Sequence, residues 1–300
     1  MQGAFGVLSG AAVLCGRCVN LPGAFPMKIA LQLGLIPGQS TSDKAKWAND
    51  HGIEGLELGA FGVPHEQLYR QAEEINGLLP IASVCGNSQP DGTPSFNFLD
   101  PDKTKRRASV DGSLSVLKFC GQVGAVGQIV PPIFGGPVVP DLSPFRTPLE
   151  LEEELMIAAA HELGSFAAEH NTKFLLEPLN RYEQHYLRTQ ADGVRIIQAV
   201  GGRGLGLLSD FFHMHIEETN TPAAFRAAKG FTDAIHLADN TRMEPGTGDI
   251  DFVASFKVLK ETGFSNFMAY ECGISGSDEK EKEANLIKSL GYMRECLAKA

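Results

Sequence analysis

Four apolar runs in the second half of this 300-residue chain each end on one ionisable side chain. Phe174–Leu176 leads to Glu177, Leu205–Ser209 to Asp210, Ala234-Ile235 to His236, and Phe267–Tyr270 to Glu271. Three carboxylates and an imidazole are a donor set for a catalytic divalent cation. Hard oxygens with one nitrogen suit Mn2+, Mg2+ or Co2+ better than a structural zinc, which favours thiolates. Each member also has a plainer reading. Asp210 could cap a following helix, and His236 could be a hydrogen-bonded core residue. Glu177 and Glu271 are costly at an apolar mouth unless paired or metal-bound. The set of four therefore says more than any one of them.

The elements that must position these residues alternate regularly. Strands are expected at 27–33, 53–58, 80–85, 125–131, 173–177, 204–210, 234–238 and 266–271. Helices fall between and after them, at 42–51, 65–76, 102–123, 149–170, 189–200, 221–229, 252–262 and 278–299. Strand–helix alternation argues for parallel strands joined by right-handed crossovers. Eight units in this length point to a single α/β domain, a (β/α)8 TIM barrel over residues 27–300. No GxGxxG opens the first helix and no Gly-Lys-Ser/Thr loop occurs, so a Rossmann sheet has little support. In a barrel the C-terminal strand ends line the active site. That places Glu177, Asp210, His236 and Glu271 on one rim, with the long loops 87–98 and 132–148 above it.

Composition narrows the function. With 43% hydrophobic residues the chain can bury a large core, and disorder as its global state is excluded. The net charge of −10 is unsuited to binding a phosphate backbone, so no nucleic-acid partner is expected. Six scattered cysteines suit reduced thiols and a cytoplasmic location. The Cys15–Cys18 spacing lacks the strand–helix context of a redox motif. Residues 1–26 read as a glycine-rich extension, disordered or preceding the true start at Met27. Its apolar run lacks a basic flank and is too short to span a bilayer, so no membrane partner is expected.

Linked motifs then carry a resemblance. Glu177-Pro-Leu-Asn-Arg-Tyr-Glu183, Asp210-Phe-Phe-His213, His236-Leu-Ala-Asp239 with Arg242, Pro245-Gly-Thr-Gly248 and Tyr270-Glu271 resemble the xylose-isomerase-like barrel superfamily. Within it they are most similar to the sugar (phosphate) isomerases and epimerases that include the ketose 3-epimerases. The resemblance implies that Glu177, Asp210, His236 and Glu271 hold a divalent metal, Mn2+ foremost and otherwise Mg2+ or Co2+. It implies that Glu177 and Glu271 are also the catalytic acid/base pair. It further implies that His213, Arg242 and Glu183 bind substrate, the first two near its carbonyl and the last at a terminal hydroxyl. The expected function is C3 epimerisation of a small-molecule sugar, a ketose, through an enediolate. Barrels of this group often pair, so a homodimer or homotetramer is compatible with it.

Alternatives stay open at this point. The stretch Arg242–Gly248 also resembles isomerases of the hydroxypyruvate-isomerase type, which use a similar glutamate pair. An endonuclease IV-like phosphodiesterase would need further histidines on strands two and three and after strand seven, and those positions hold none. From the residues alone, Arg242 could pair with Asp239 or Glu244, His215 is a bystander beside His213, and Cys85 could be a packed thiol. The strand-four stretch 128–133 carries no tryptophan, and the one Trp in the chain is Trp47, so the sugar is not identified.

Overall fold

Parallel strands covered by helices on the outside and side chains on the inside read as nearly continuous apolar runs, and the strands here follow that rule. The computed structural model describes residues 27–300; the extension 1–26 and the Cys15–Cys18 spacing lie outside the described residues. Strands β1 (Lys28–Gln32), β2 (Gly55–Gly59), β3 (Ile81–Cys85), β4 (Gly127–Val130), β5 (Lys173–Leu176), β6 (Leu205–Asp210), β7 (Thr232–Leu237) and β8 (Phe267–Tyr270) pair in sequence order. All pairings are parallel, and β8 closes on β1 through Lys28–Phe267 to Leu31–Tyr270. The result is the expected (β/α)8 barrel.

The outer ring is α1 (Thr41–Asp50), α2 (His65–Ile75), α3 (Lys103–Val123), α4 (Pro148–Glu169), α5 (Gln190–Ala199), α6 (Phe211–Glu217), α7 (Thr221–Ala227), α8 (Phe252–Thr262) and α9 (Glu279–Lys299). Local chemistry starts them. Ser40, Thr147 and Thr189 each cap a helix whose third residue, Asp43, Glu150 or Asp192, returns the bond to the cap backbone. Asn76, Gly124 and Gly263 end α2, α3 and α8 in the left-handed conformation, from which their N–H groups donate to carbonyls of the last turn. The predicted boundaries shift by a residue or two at most ends. Helix α6 was not anticipated. It starts directly on Asp210, with no loop to announce it. Among the described residues no helix is long and apolar enough to cross a membrane.

Inside the barrel the packing is layered. Ala30, Ala82 and Ala269 leave room for the Phe267 ring, and Ile129, Leu175, Leu208 and Ala234 fill the opposite side. Gly55 belongs to the first set, since a Cβ there would lie 2.6 Å from the Phe267 ring. Replacing Gly55 with valine is expected to cost about 1–3 kcal/mol of stability through overpacking, read as a lower urea midpoint at unchanged slope. Beyond these layers, toward the strand C-termini, the interior turns polar. The floor is apolar and the mouth is charged.

Candidate active site

Glu177 follows β5, Asp210 ends β6, His236 lies near the end of β7, and Glu271 follows β8. Barrel closure brings these four strand ends together, and one ligand atom from each residue lies within 4.8 Å of all the others. His236 Nδ1 is the hub. It stands 3.4 Å from Glu177 Oε1, 3.6 Å from Asp210 Oδ2 and 2.8 Å from Glu271 Oε2. Ligand atoms about 2.1 Å from a common hard cation lie roughly 3 to 4.2 Å apart, so the donors fit such an ion. Buried polar atoms are normally hydrogen-bonded. Glu177 Oε1 and His236 Nδ1 are buried with no aligned hydrogen-bond partner among the described residues, and both point into the cluster. The donor set fits a divalent metal.

Asp210 is the helix cap that its sequence position allowed, and it also faces the cluster. Oδ1 accepts from the backbone N–H of Phe212 (2.7 Å) and His213 (3.2 Å) and so caps α6. Oδ2 is left to face the cluster, where Arg242 Nη1 donates to it at 2.6 Å. One carboxylate starts a helix with one oxygen and offers the other to the cluster.

Arg242 reaches the site from the loop after β7. Its backbone has φ +60, a left-handed conformation that costs a non-glycine residue about 1–2 kcal/mol. Neighbouring bonds hold it there: Arg242 N–H donates to Asp239 O (2.9 Å) and Gly273 N–H to Arg242 O (2.8 Å). The guanidinium bonds Asp210 and Glu271 and lies 5.0 Å from the centre of the Phe212 ring. The other acids weighed as partners for Arg242 are engaged elsewhere. Asp239 accepts from the N–H groups of Asn240, Gly246 and Ile250, and Glu244 from Ser275. A Cβ on Gly248 would lie 2.4 Å from Asp239 Oδ1, which accounts for the second glycine of the Pro-Gly-Thr-Gly motif.

His213, in the first turn of α6, accepts at Nδ1 from the backbone N–H of Asn180 (3.3 Å), leaving Nε2 as its donor. Asn180 Nδ2 also donates to Glu183 Oε1 at 2.8 Å, so one asparagine positions both residues. Glu183 is partly exposed and lines the cavity, so its surface reading and its substrate reading are compatible. His215 pairs with Asp249 at 3.5 Å and does not line the cavity.

The cavity is about 260 Å³ and is bounded below by Glu177, Glu271, His213 and Arg242. Its upper wall is aromatic. Phe96 packs on Phe61 (ring centres 5.0 Å apart) and edge-on against Phe134 (5.1 Å). These phenylalanines come from the loops after β2, β3 and β4, so an aromatic wall exists although strand four carries no tryptophan. Cys85 lines the cavity and its Sγ lies 3.6 Å from Glu271 Oε1. Burial first, and then Glu271, hold that thiol protonated well above its usual range.

The two glutamates titrate in opposite directions. Burial pushes the Glu177 carboxyl up, and its contact with His236 only partly offsets this. Burial would raise Glu271 as well, but the charges of His236 and Arg242 outweigh it and hold the carboxylate well below the usual range. Two carboxyls pushed apart in this way are suited to acid and base roles.

Sequence reading missed Glu57, Gln32 and Ser83. Glu57 is buried and sits 3.0 Å from His236 Nε2. Its signal was a charge inside the apolar run Leu56-Glu57-Leu58 of a strand buried on both faces.

A closed parallel barrel with three carboxylates and a histidine at its C-terminal mouth defines the class: a TIM barrel with a candidate metal centre. The chain belongs to the xylose isomerase-like TIM barrel family, whose model matches residues 45–296. It is 29% identical over 273 residues to the 3-dehydro-D-guloside 4-epimerase of Escherichia coli, covering 90% of this chain and 100% of that protein. It is 32% identical over 260 residues to a probable ketose 3-epimerase of Synechocystis, covering 85% of each. Among solved structures, an E. coli 3-keto-D-glucoside 4-epimerase superposes with TM-score 0.77 at 27% identity over 90% of this chain and all of that one. A D-psicose 3-epimerase from Clostridium cellulolyticum superposes at 0.75 with 20% identity, covering 90% and 99%, and shares the fold.

Proposed function

We propose that this chain is a metal-dependent sugar epimerase that inverts a carbon beside a carbonyl through an enediolate. Glu177, Asp210, His236 and Glu271 are the metal ligands, Glu177 and Glu271 also the acid/base pair, and Glu183, His213 and Arg242 the substrate-binding residues. The observation that carries the reading is the convergence of Glu177 and Glu271 on His236 Nδ1, at 3.4 and 2.8 Å, under one cavity. When bound, the divalent ion (Mn2+ foremost) supplies Lewis-acid stabilisation of the enediolate oxygens.

The chain's own residues do the rest. Glu271, held ionised by the Arg242 guanidinium paired with it, removes the proton next to the carbonyl. Arg242 and the Nε2–H of His213 point donors toward the oxygen where charge grows, a contribution that strengthens in the transition state. Glu177, pushed up by burial, returns a proton to the other face of the planar carbon. The reverse reaction exchanges the two roles. After one turnover the proton has moved from Glu177 to Glu271, and exchange with water resets the pair. Solvent hydrogen therefore enters the product.

Carbon α to a carbonyl means C3 in a ketose and C4 in a 3-dehydro glycoside, so one constellation serves either substrate. C3 epimerisation of a ketose is the leading assignment; the 4-epimerase relative, matched along its whole length, favours the glycoside as the second. In D2O, deuterium entering C3 of a ketose panel supports the first, and entry at C4 of a 3-dehydro glycoside supports the second. Label only at C1 or C2 would instead make this an aldose–ketose isomerase. No label in any sugar overturns the proposal.

The aromatic wall binds the apolar face of the sugar. Phe134→Ala is expected to raise KM about fivefold with kcat nearly unchanged, the signature of lost uniform binding. Steady-state kinetics on the turned-over sugar measure this split.

A further inference from the structure

Behind the metal-facing edge of His236 lies a second polar layer that the proposed chemistry does not use. Glu57 of β2 is buried to 1% exposure and holds three partners. Its Oε1 accepts from Gln32 Nε2 at 2.9 Å, and its Oε2 from Ser83 Oγ at 2.6 Å. His236 Nε2 faces both oxygens, at 3.0 and 3.2 Å. Gln32 Nε2 also donates to Glu271 Oε1 at 3.0 Å, tying the layer to a fifth strand, β8.

We infer that Glu57 is a positioning residue that fixes the ring orientation and tautomer of His236, so that Nδ1 presents its lone pair to the metal. This rests on the reading of Glu177, Asp210, His236 and Glu271 as metal ligands. A carboxylate can only accept, so the imidazole edge facing Glu57 must carry hydrogen at Nε2. The opposite nitrogen is then the ligand, and the carboxylate raises its basicity. Gln32 and Ser83 make the device rigid: each donates to a different Glu57 oxygen, so the carboxylate cannot rotate without losing a buried bond. Gln32 extends the same control to Glu271, keeping its Oε2 turned toward the cluster.

Glu57, Cys85 and His236 also offer ligand atoms within 4.8 Å of one another, which could suggest a second metal. Both Glu57 oxygens are already used by Gln32, Ser83 and His236. The geometry is that of an acceptor with its valences filled.

The test compares wild type, Glu57→Gln and Ser83→Ala by Mn2+ titration calorimetry, with the melting temperature of each metal-free protein as a folding control. Losing an outer partner of a metal-bound histidine typically weakens binding by about 10- to 100-fold. That range is expected for Glu57→Gln. Ser83→Ala keeps the charge and loosens one oxygen, and should weaken Mn2+ by a few-fold in the same direction, which serves if Glu57→Gln fails to fold. Nitrogen-15 spectra of the Mg2+-loaded wild type should show His236 protonated at Nε2, and Ser83→Ala should broaden or shift that resonance. A wild-type spectrum with hydrogen on Nδ1 overturns the inference. So do variants that fold and bind Mn2+ within twofold of wild type, or a second Mn2+ bound tightly. Wild type that binds no divalent ion overturns the metal reading itself, and this inference with it.

Discussion

Glu177→Gln and Glu271→Gln are each expected to lower epimerisation by about 10²- to 10⁴-fold, the usual loss on removing a positioned acid or base, and to lose solvent deuterium entry into the epimerised product. The amide keeps the volume and one oxygen for coordination, so the proton-transfer role is what disappears. Asp210→Asn is the informative contrast. Asp210 bonds the N–H groups that open α6 and faces the cluster with its other oxygen, but it does not line the cavity. Its variant should bind metal more weakly yet regain much of its rate in excess metal. The glutamate variants should stay slow at any metal concentration. Initial rates across a Mn2+ series, with circular dichroism as the folding check, separate the two behaviours. A glutamate variant restored to near wild-type rate by metal would leave the two-base scheme without support.

The site was legible where a charge closed an apolar run. Glu177, Asp210, His236 and Glu271 stand out because a strand end is where a buried chain first meets the barrel mouth, and alternation of strands and helices put those ends on one rim. Glu57 obeys the same physics two residues before the end of β2, but reading for terminal residues passed over it. A charge between two leucines in a doubly buried strand is a demand for partners, and His236, Gln32 and Ser83 answer it. Other features depend on geometry that no local pattern encodes. The reach of Arg242 rests on one left-handed backbone residue. The aromatic wall is assembled from three loops far apart in sequence, so the missing tryptophan was noted while the phenylalanines that stand in its region were not. Helix α6 went unseen because it is a seven-residue helix abutting β6, with Asp210 as both strand end and cap.

Removing divalent ions by chelation is expected to abolish turnover and to lower the melting temperature by about 5–10 °C, with added Mn2+ restoring both. The magnitude follows from mass action: an ion held at about 100 times its Kd stabilises the folded state by about 2.7 kcal/mol, and a chain of this size shifts by roughly 2–4 °C per kcal/mol. The direction follows from the charges. Glu57, Glu177, Asp210 and Glu271 crowd around two cationic groups, Arg242 and His236, so a divalent ion relieves uncompensated buried carboxylate charge. The pH dependence has a definite sign. Burial opposes a charged imidazole, yet Glu271 and Glu57 outweigh it and raise the pKa of His236 well above its ordinary value. In the metal-free protein these carboxylates therefore favour the protonated imidazole, and binding at Nδ1 must expel that proton. Mn2+ affinity should rise by up to about tenfold per pH unit below that raised pKa and level off above it. Calorimetry in buffers of different ionisation heat would count the proton released. Affinity that falls as pH rises, or a melting temperature indifferent to chelation, would remove His236 from the metal's ligands and leave it as a structural ion pair with Glu57.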